Sequence, residues 1–338
     1  MLISRLDPAI EAGDFCGVVQ VARAGQTLYA RAAGLADRRH ETPNVLDTRF
    51  AIASGAKGLT ALAVMSLVAE GVLDLDATAA HLLGDLGQLV DREVTVRQLL
   101  AHTSGVGDYL DESAIADIED YFLDVPVREL TRPADFVSLL GGRPQQCRPG
   151  TRFAYCNSGY VLLALLIEAV SGRSYYDIVH ERVCAPAQMH STAFLRLDEL
   201  PASAAIGYLP QRGWSDNALH VPVRGGGDGG AYTTAGDLAR FWDALFEGRI
   251  VPLSTLREML RSQHDFAEGS RRYGLGFWLG AKDDRVMLEG SDAGISFRSS
   301  FEPTTRLLYS VLSNTTRGAW PLVKELESLV GTPQLFDQ

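Results

Sequence analysis

Lysine is nearly missing from this sequence. Of 31 basic residues only Lys57, Lys282 and Lys324 are lysines, so chemistry that needs an ammonium has few places to reside. Cysteine is also sparse. Cys16, Cys147, Cys156 and Cys184 form no Cys-x-x-Cys pair, and four are too few for a disulfide-stapled small fold, so reduced thiols are expected. None of the seven histidines belongs to a His-Glu-x-x-His pattern, and no Cys/His cluster has zinc spacing, so neither a metal nor a cofactor is expected. The phosphate-binding Gly-x-x-x-x-Gly-Lys-Ser/Thr loop and the Gly-x-Ser-x-Gly nucleophile elbow are both lacking, which argues against nucleotide hydrolysis and the α/β-hydrolase fold. No apolar run reaches the roughly 18 residues of a membrane span, and the N-terminus lacks a basic stretch leading into an apolar one. A cytoplasmic protein is expected. A net charge of −11 makes nucleic acid or an anionic membrane an unfavourable partner.

What is present fits a folded chain of more than one unit. With 338 residues, 46% hydrophobic and 22% charged, the chain is long for a single core. Residues 2–12 read as an amphipathic helix, and Phe15–Ala24 with Gln26–Ala33 as an antiparallel hairpin. From about 60 to 220 helical periodicity dominates. Gly225–Gly230 is too glycine-dense for anything but a loop. Beyond it, Thr234 caps a helix through Leu245. Tyr273–Leu279, Arg285–Leu288, Ile295–Phe301 and Arg306–Leu312 read as strands, and Trp320–Val330 as a closing helix. The expected fold class is α+β, with an antiparallel sheet built from both chain ends and flanked by helices. Residues 1–60 and 225–338 would form the sheet domain and 61–224 a mostly helical insertion, with the site at their interface.

Residues 50–60, Phe-Ala-Ile-Ala-Ser-Gly-Ala-Lys-Gly-Leu-Thr, place Ser54 three positions before Lys57 at the entrance to an apolar helical run. If the helix begins at Ser54, the two side chains share a face and the ammonium lies against the hydroxyl. A hydroxyl needs a base to become a nucleophile, and a helix N-terminus offers positive potential to an oxyanion. Ser54 as a simple helix cap is the competing reading. Lysine scarcity weighs against coincidence: with 22 serines, chance predicts roughly 0.2 Ser-x-x-Lys pairs.

A second stretch, Pro149-Gly-Thr-Arg-Phe-Ala-Tyr-Cys-Asn-Ser-Gly-Tyr160, holds Tyr155 and Asn157 just before an apolar helix. A phenol, with a reference pKa of about 10, serves as a base near neutrality only beside a cation, and Lys57 could be that cation. Asn157 could hold a substrate amide through its donor and acceptor. On these residues alone, a half-buried loop tyrosine and a turn or N-cap asparagine are the favoured readings.

Ser54-x-x-Lys57, Leu99-Leu-Ala-His-Thr-Ser-Gly105, Pro149-Gly-Thr151 and Tyr155-x-Asn157, in this order, resemble the serine β-lactamase and penicillin-binding-protein superfamily. The likeness is greatest to class C β-lactamases and the related esterases and D-amino-acid-specific peptidases, and it covers nearly the whole chain. The resemblance implies an acyl-enzyme on Ser54, with Lys57 and Tyr155 sharing its proton and the Ser54 N–H forming half an oxyanion hole. The family's third motif, Lys-Thr-Gly or His-x-Gly, has its counterpart in Leu288-Glu-Gly-Ser291. There Gly290 would let substrate backbone lie against the strand and the Ser291 N–H would be the second oxyanion donor. The cation is missing, with Leu288 in its place, so a carboxylate ligand would need Arg298 or Arg224 instead.

Glu289 is open to two readings, a partner for a cationic substrate or a strand-edge charge bonded to a nearby arginine. Cys156 reads as a small buried filler and His102 as a hydrogen-bonded structural histidine; Asp108 and Asp292 are loop acids without an assigned role. The expected activity is hydrolysis of a small ester or amide, esterase or D-amino-acid-type peptidase or amidase ahead of a true β-lactamase. Acyl transfer by the same chemistry, or a silent binding module, are the alternatives. The oligomeric state is left open.

Overall fold

A computed structural model describes residues 2–11, 15–112, 115–209, 214–267 and 271–330. Helix α1 (Leu2–Glu11) precedes strands β1 (Gly17–Arg23) and β2 (Gln26–Ala33); residue 12 of the expected first helix lies outside the described residues. Two short pairs follow, β3 (Leu35–Asp37) with β4 (Thr42–Pro43), and β5 (Phe50–Ala51) with the distant β6 (Tyr232–Thr233). The chain then runs through α2 (Lys57–Ala69), α3 (Ala79–Leu82), α4 (Val96–Leu100), α5 (Val137–Leu140), α6 (Asn157–Ser171) and α7 (Tyr175–Val179). Helices α8 (Ala235–Phe246) and α9 (Leu253–Met259) lead into β7 (His264–Asp265), β8 (Arg271–Tyr273), β9 (Trp278–Gly280), β10 (Val286–Asp292), β11 (Ile295–Glu302), β12 (Leu307–Ser313) and α10 (Ala319–Val330).

The main sheet is antiparallel throughout, in the order β2-β1-β12-β11-β10-β9-β8-β7. The expected α+β sheet from both chain ends is what the chain forms. Helices cover both faces of its centre, which is why β1 is almost wholly apolar rather than alternating. On one face Val19 and Val21 pack with Leu6, Ile10, Leu322 and Leu326 from α1 and α10. On the other, Val18 and Ala22 join the larger core that includes Trp242 and Phe301.

One strand departs from expectation. Tyr273–Leu279 is not continuous but forms the ends of β8 and β9, folded back so that Tyr273 pairs with Trp278. Gly276 makes the turn at φ +86, a conformation that few other residues adopt.

Helix α2 is buried from Lys57 to Leu67, so it is apolar on every side. It packs beside α6, whose residues Asn157 to Ile167 are likewise buried. These two central helices present their N-termini at one place, against β10 and the glycine-rich loop.

Candidate active site

Ser54 lies in the 3-10 turn Ala53–Ala56 that leads into α2, and Lys57 is the first residue of the α-helix. The serine side chain makes no cap bond, so the competing cap reading does not hold. The turn is gripped on three sides. Ile52 N–H donates to Ala231 O at 2.9 Å and Gly230 N–H to Ala53 O at 3.3 Å, joining it to the glycine-rich loop. On the third side stands β10.

Lys57 is 2% exposed. Its Nζ donates to Ser54 Oγ at 2.9 Å, Asn157 Oδ1 at 2.7 Å and the Asp228 carbonyl at 2.6 Å. An ammonium has three N–H donors, and all are used; a buried charge is tolerated only when paired in this way. Since Ser54 Oγ accepts from Lys57, its own hydrogen is directed elsewhere. Tyr155 borders the same cleft as Ser54, close enough that, against the larger effect of burial, the hydroxyl acts to lower the phenol's pKa.

Asn157 does not hold a free amide outward. Its Oδ1 is taken by Lys57, and its Nδ2 donates to Asp108 Oδ2 at 3.2 Å and Leu110 O at 3.0 Å. Asn157 still borders the recess at Ser54, but its acceptor thus holds Lys57 and its donor ties the side chain to Asp108 and Leu110. Nor is Asn157 the helix cap, which is Cys156, whose Sγ accepts from Gly159 N–H at 3.3 Å. Burial pushes the Cys156 thiol pKa well up, so it is a packing and capping group without thiolate character. Asp108, given no role from sequence, bonds the N–H groups of Asn157 at 3.0 Å and Ser158 at 2.8 Å and so anchors the start of α6.

Tyr155 departs from expectation in protonation. Lys57 Nζ stands 5.0 Å from the Tyr155 ring centroid. Burial, followed by the Glu112 charge, pushes the phenol pKa well above its usual 10. The resting side chain is a neutral phenol.

In the third motif, Leu288 and Gly290 face the Ser54 turn and α2. A Cβ on Gly58 would lie 2.4 Å from Leu288 Cδ2, and Leu288 is 2% exposed. The position where the resemblance places a cation is here an apolar contact under the helix. A Cβ on Gly290 would lie 2.0 Å from Ile52 O and 2.9 Å from Ser54 N. Its glycine is required for the close approach of strand and turn, a reason different from the expected substrate contact.

Glu289 pairs with Arg298 and, at 3.1 Å, with Arg271 Nη1. Of its two readings the strand-edge ion pair is the one formed. Arg298 is further held by Glu327 at 2.7 Å, and Arg224 stacks on Tyr176 at 3.5 Å and bonds Phe194 O. Neither arginine borders a cleft at Ser54, so neither replaces the missing cation. Ser291 is exposed and borders both clefts described next.

Two recesses meet at Ser54. One, a narrow recess, lies between Tyr109, Phe136, Leu195, Val221, Tyr232 and Ile295 and carries Glu112, Asp228 and Asp292. Desolvation raises the pKa of all three carboxyls, that of Asp292 to about 7. The other is a more open cleft bordered by Phe153, Tyr155, Arg271, Trp278 and Glu289. Arg271 lies 4.1 Å over the Trp278 ring. Sequence reasoning missed Glu112, Asp228, Arg271 and Trp278. The glycine density around Asp228 was the only signal for it, because the contribution of Asp228 to Lys57 is a backbone carbonyl. Among the described residues no group of three or more His, Cys, Asp or Glu side chains could hold a metal ion, and no helix is long and apolar enough to cross a membrane.

A family model described as Beta-lactamase matches residues 5–329. A penicillin-binding protein structure from Bacillus halodurans is 35% identical, superimposes with a TM-score of 0.89 and covers 96% of this chain and 99% of that one. A D-aminopeptidase of Brucella anthropi is 32% identical over 78% of this chain and 48% of its own length. Esterase EstB of Burkholderia gladioli is 33% identical over 60% of this chain and 52% of its own. The chain thus spans about half the length of these two curated relatives.

Proposed function

The chain belongs to the beta-lactamase family, and on that premise we propose that it is a serine hydrolase forming an acyl-enzyme on Ser54 from small esters or amides. The observation that carries this reading is the Lys57 ammonium, donating to Ser54 Oγ at 2.9 Å while two further acceptors fix its direction. In the proposed cycle Ser54 attacks the carbonyl as its proton passes to Tyr155 Oη and the phenol's own proton moves in the same step to the leaving group, so that no charged phenol forms. A phenol with a raised pKa suits such a relay, since it accepts and donates without existing as a resting phenolate. Lys57 stabilises the charge that grows on Oγ. The N–H groups of Ser54 and Ser291 are the proposed oxyanion donors. Water then enters by the same relay and releases the acid.

For the substrate, we propose neutral or amine-bearing acyl donors, of esterase or D-amino-acid amidase type, ahead of a penicillin. Two features support this: Leu288 is buried where a cation would receive a carboxylate, and Glu112, Asp228 and Asp292 line the recess beside Ser54. An ammonium entering that recess would favour the ionised carboxylates that burial now disfavours. The D-aminopeptidase and esterase among the relatives agree with this choice. Turnover of p-nitrophenyl butyrate and of D-aminoacyl p-nitroanilides, lost in Ser54→Ala with the fold intact, is the expected result. Hydrolysis of a chromogenic cephalosporin far above the ester rate would reverse the substrate order.

A further inference from the structure

We infer that His102 is a positioning residue for Tyr155: its imidazole stacks on the phenol ring and accepts from the backbone on one side of it, while its main-chain carbonyl accepts from the backbone on the other. His102 sits just after α4, fully buried, with φ +55. Its carbonyl accepts from Ala154 N–H at 2.8 Å and its Nδ1 from Cys156 N–H at 3.1 Å. Between those two residues the Tyr155 ring lies 4.3 Å from the imidazole centroid, tilted by 34°. Residues 154, 155 and 156 are thus all held by one side chain and its own carbonyl.

Three further observations separate this from ordinary core packing. Tyr160, Tyr273 and Phe153 surround the imidazole at 5.0, 5.0 and 5.7 Å, so its ring is fixed in turn. Nδ1 accepts, which puts the proton on Nε2, and Nε2 is buried without a hydrogen-bond partner among the described residues. A phenyl ring in this cage would avoid the cost of that unpaired N–H, but could not accept from Cys156. A non-glycine residue at φ +55 adds strain, and strain held in place beside a reacting group marks a position fixed for function. Burial and the Lys57 charge keep the ring neutral. No hydrogen bond joins it to Ser54 or Lys57 among the described residues, so it acts through Tyr155 and not on the substrate.

This rests on the reading of Ser54 as a nucleophile served by Tyr155. The test is a double-variant cycle of His102→Asn and Tyr155→Phe, read by kcat and KM for p-nitrophenyl butyrate and by the rate of Ser54 labelling with a fluorophosphonate. Asparagine tolerates the left-handed backbone but lacks the ring. His102→Asn is expected to lower kcat and the labelling rate by about 10- to 100-fold, with KM within about threefold, since an ångström of misplacement costs about that much. In the Tyr155→Phe background it should add less than about threefold. His102→Phe, which restores a ring without an acceptor, should recover part of the loss and is the second variant if the first does not fold. Effects that multiply in the double variant, or a lowered melting temperature with an unchanged labelling rate, overturn the inference. A wild-type protein that is never labelled overturns both this and the underlying reading, whereas a labelled wild type with an unaffected His102→Asn overturns only this one.

Discussion

Replacing Gly290 by alanine should damage the site more than any other loss or gain of a single methyl near it. The new Cβ would sit 2.0 Å from the Ile52 carbonyl oxygen and 2.9 Å from the Ser54 and Gly55 nitrogens, where 3.4 Å is an ordinary contact, so strand or turn must give by roughly 1.4 Å. β10 cannot retreat freely, because seven residue pairs hold it to β11. The turn is held by the bonds from Ile52 N–H and Gly230 N–H. Whichever yields, Ser54 N–H and Oγ move relative to Lys57 and Tyr155. Overpacking of this kind costs about 1–3 kcal/mol of stability, and a shift of an ångström in a reacting group costs about 100-fold in rate. The expected result is therefore a melting temperature several degrees lower and kcat/KM for p-nitrophenyl butyrate lowered about 100-fold. Gly141→Ala serves as the control: it has open space around its Cβ and should leave both values near wild type. A Gly290→Ala variant with wild-type rate and stability would refute the argument that the strand approaches the turn this closely.

Three further outcomes follow from the same geometry. Lys57→Met removes the donor shared by Ser54, Asn157 and Asp228, and should lower kcat by about 100- to 10,000-fold while p-nitrophenyl butyrate KM changes little; a loss under tenfold would count against Lys57. Glu289→Gln leaves Arg298, which is largely buried, with Glu327 as its remaining carboxylate partner, so melting should show a loss of stability but ester turnover should persist within about threefold. Asp292 has its pKa raised to about 7 from an ordinary 3.8, chiefly by burial. The folded state therefore binds the extra proton between about pH 4 and 7, and this residue's contribution to stability is present at low pH and lost as pH rises through 7. Asp292→Asn should abolish that part of the slope, so wild type should lose stability relative to the variant between pH 5 and 8 in paired melts; parallel curves would contradict it.

Sequence legibility followed the range of the interactions. The Ser54–Lys57 pair could be read because both members lie within one helical turn, and the strands of the C-terminal half because alternation and turn residues are local. The broken strand at Tyr273–Leu279 was missed because glycine inside a strand signals a bulge as readily as a reversal. The third motif was legible in part: the likeness marked Leu288 as standing where a cation is expected, but only its packing on Gly58 tells which way that position faces. Arg271 comes to the cleft from β8 beside Trp278, and nothing in its local sequence distinguishes it from the other 27 arginines. In the sequence Asn157 reads as a substrate contact and Asp108 has no assigned role, because their partners in the structure lie about 50 or 100 positions away.

The central claim is that Ser54 Oγ carries the acyl group. Acid-quenching the protein during p-nitrophenyl butyrate turnover, followed by mass spectrometry of the peptide containing Ser54, tests it most directly. The account predicts a butyryl adduct on Ser54 that is missing in Ser54→Ala. Sustained turnover with Ser54 unmodified, or with the adduct on another residue, would contradict it.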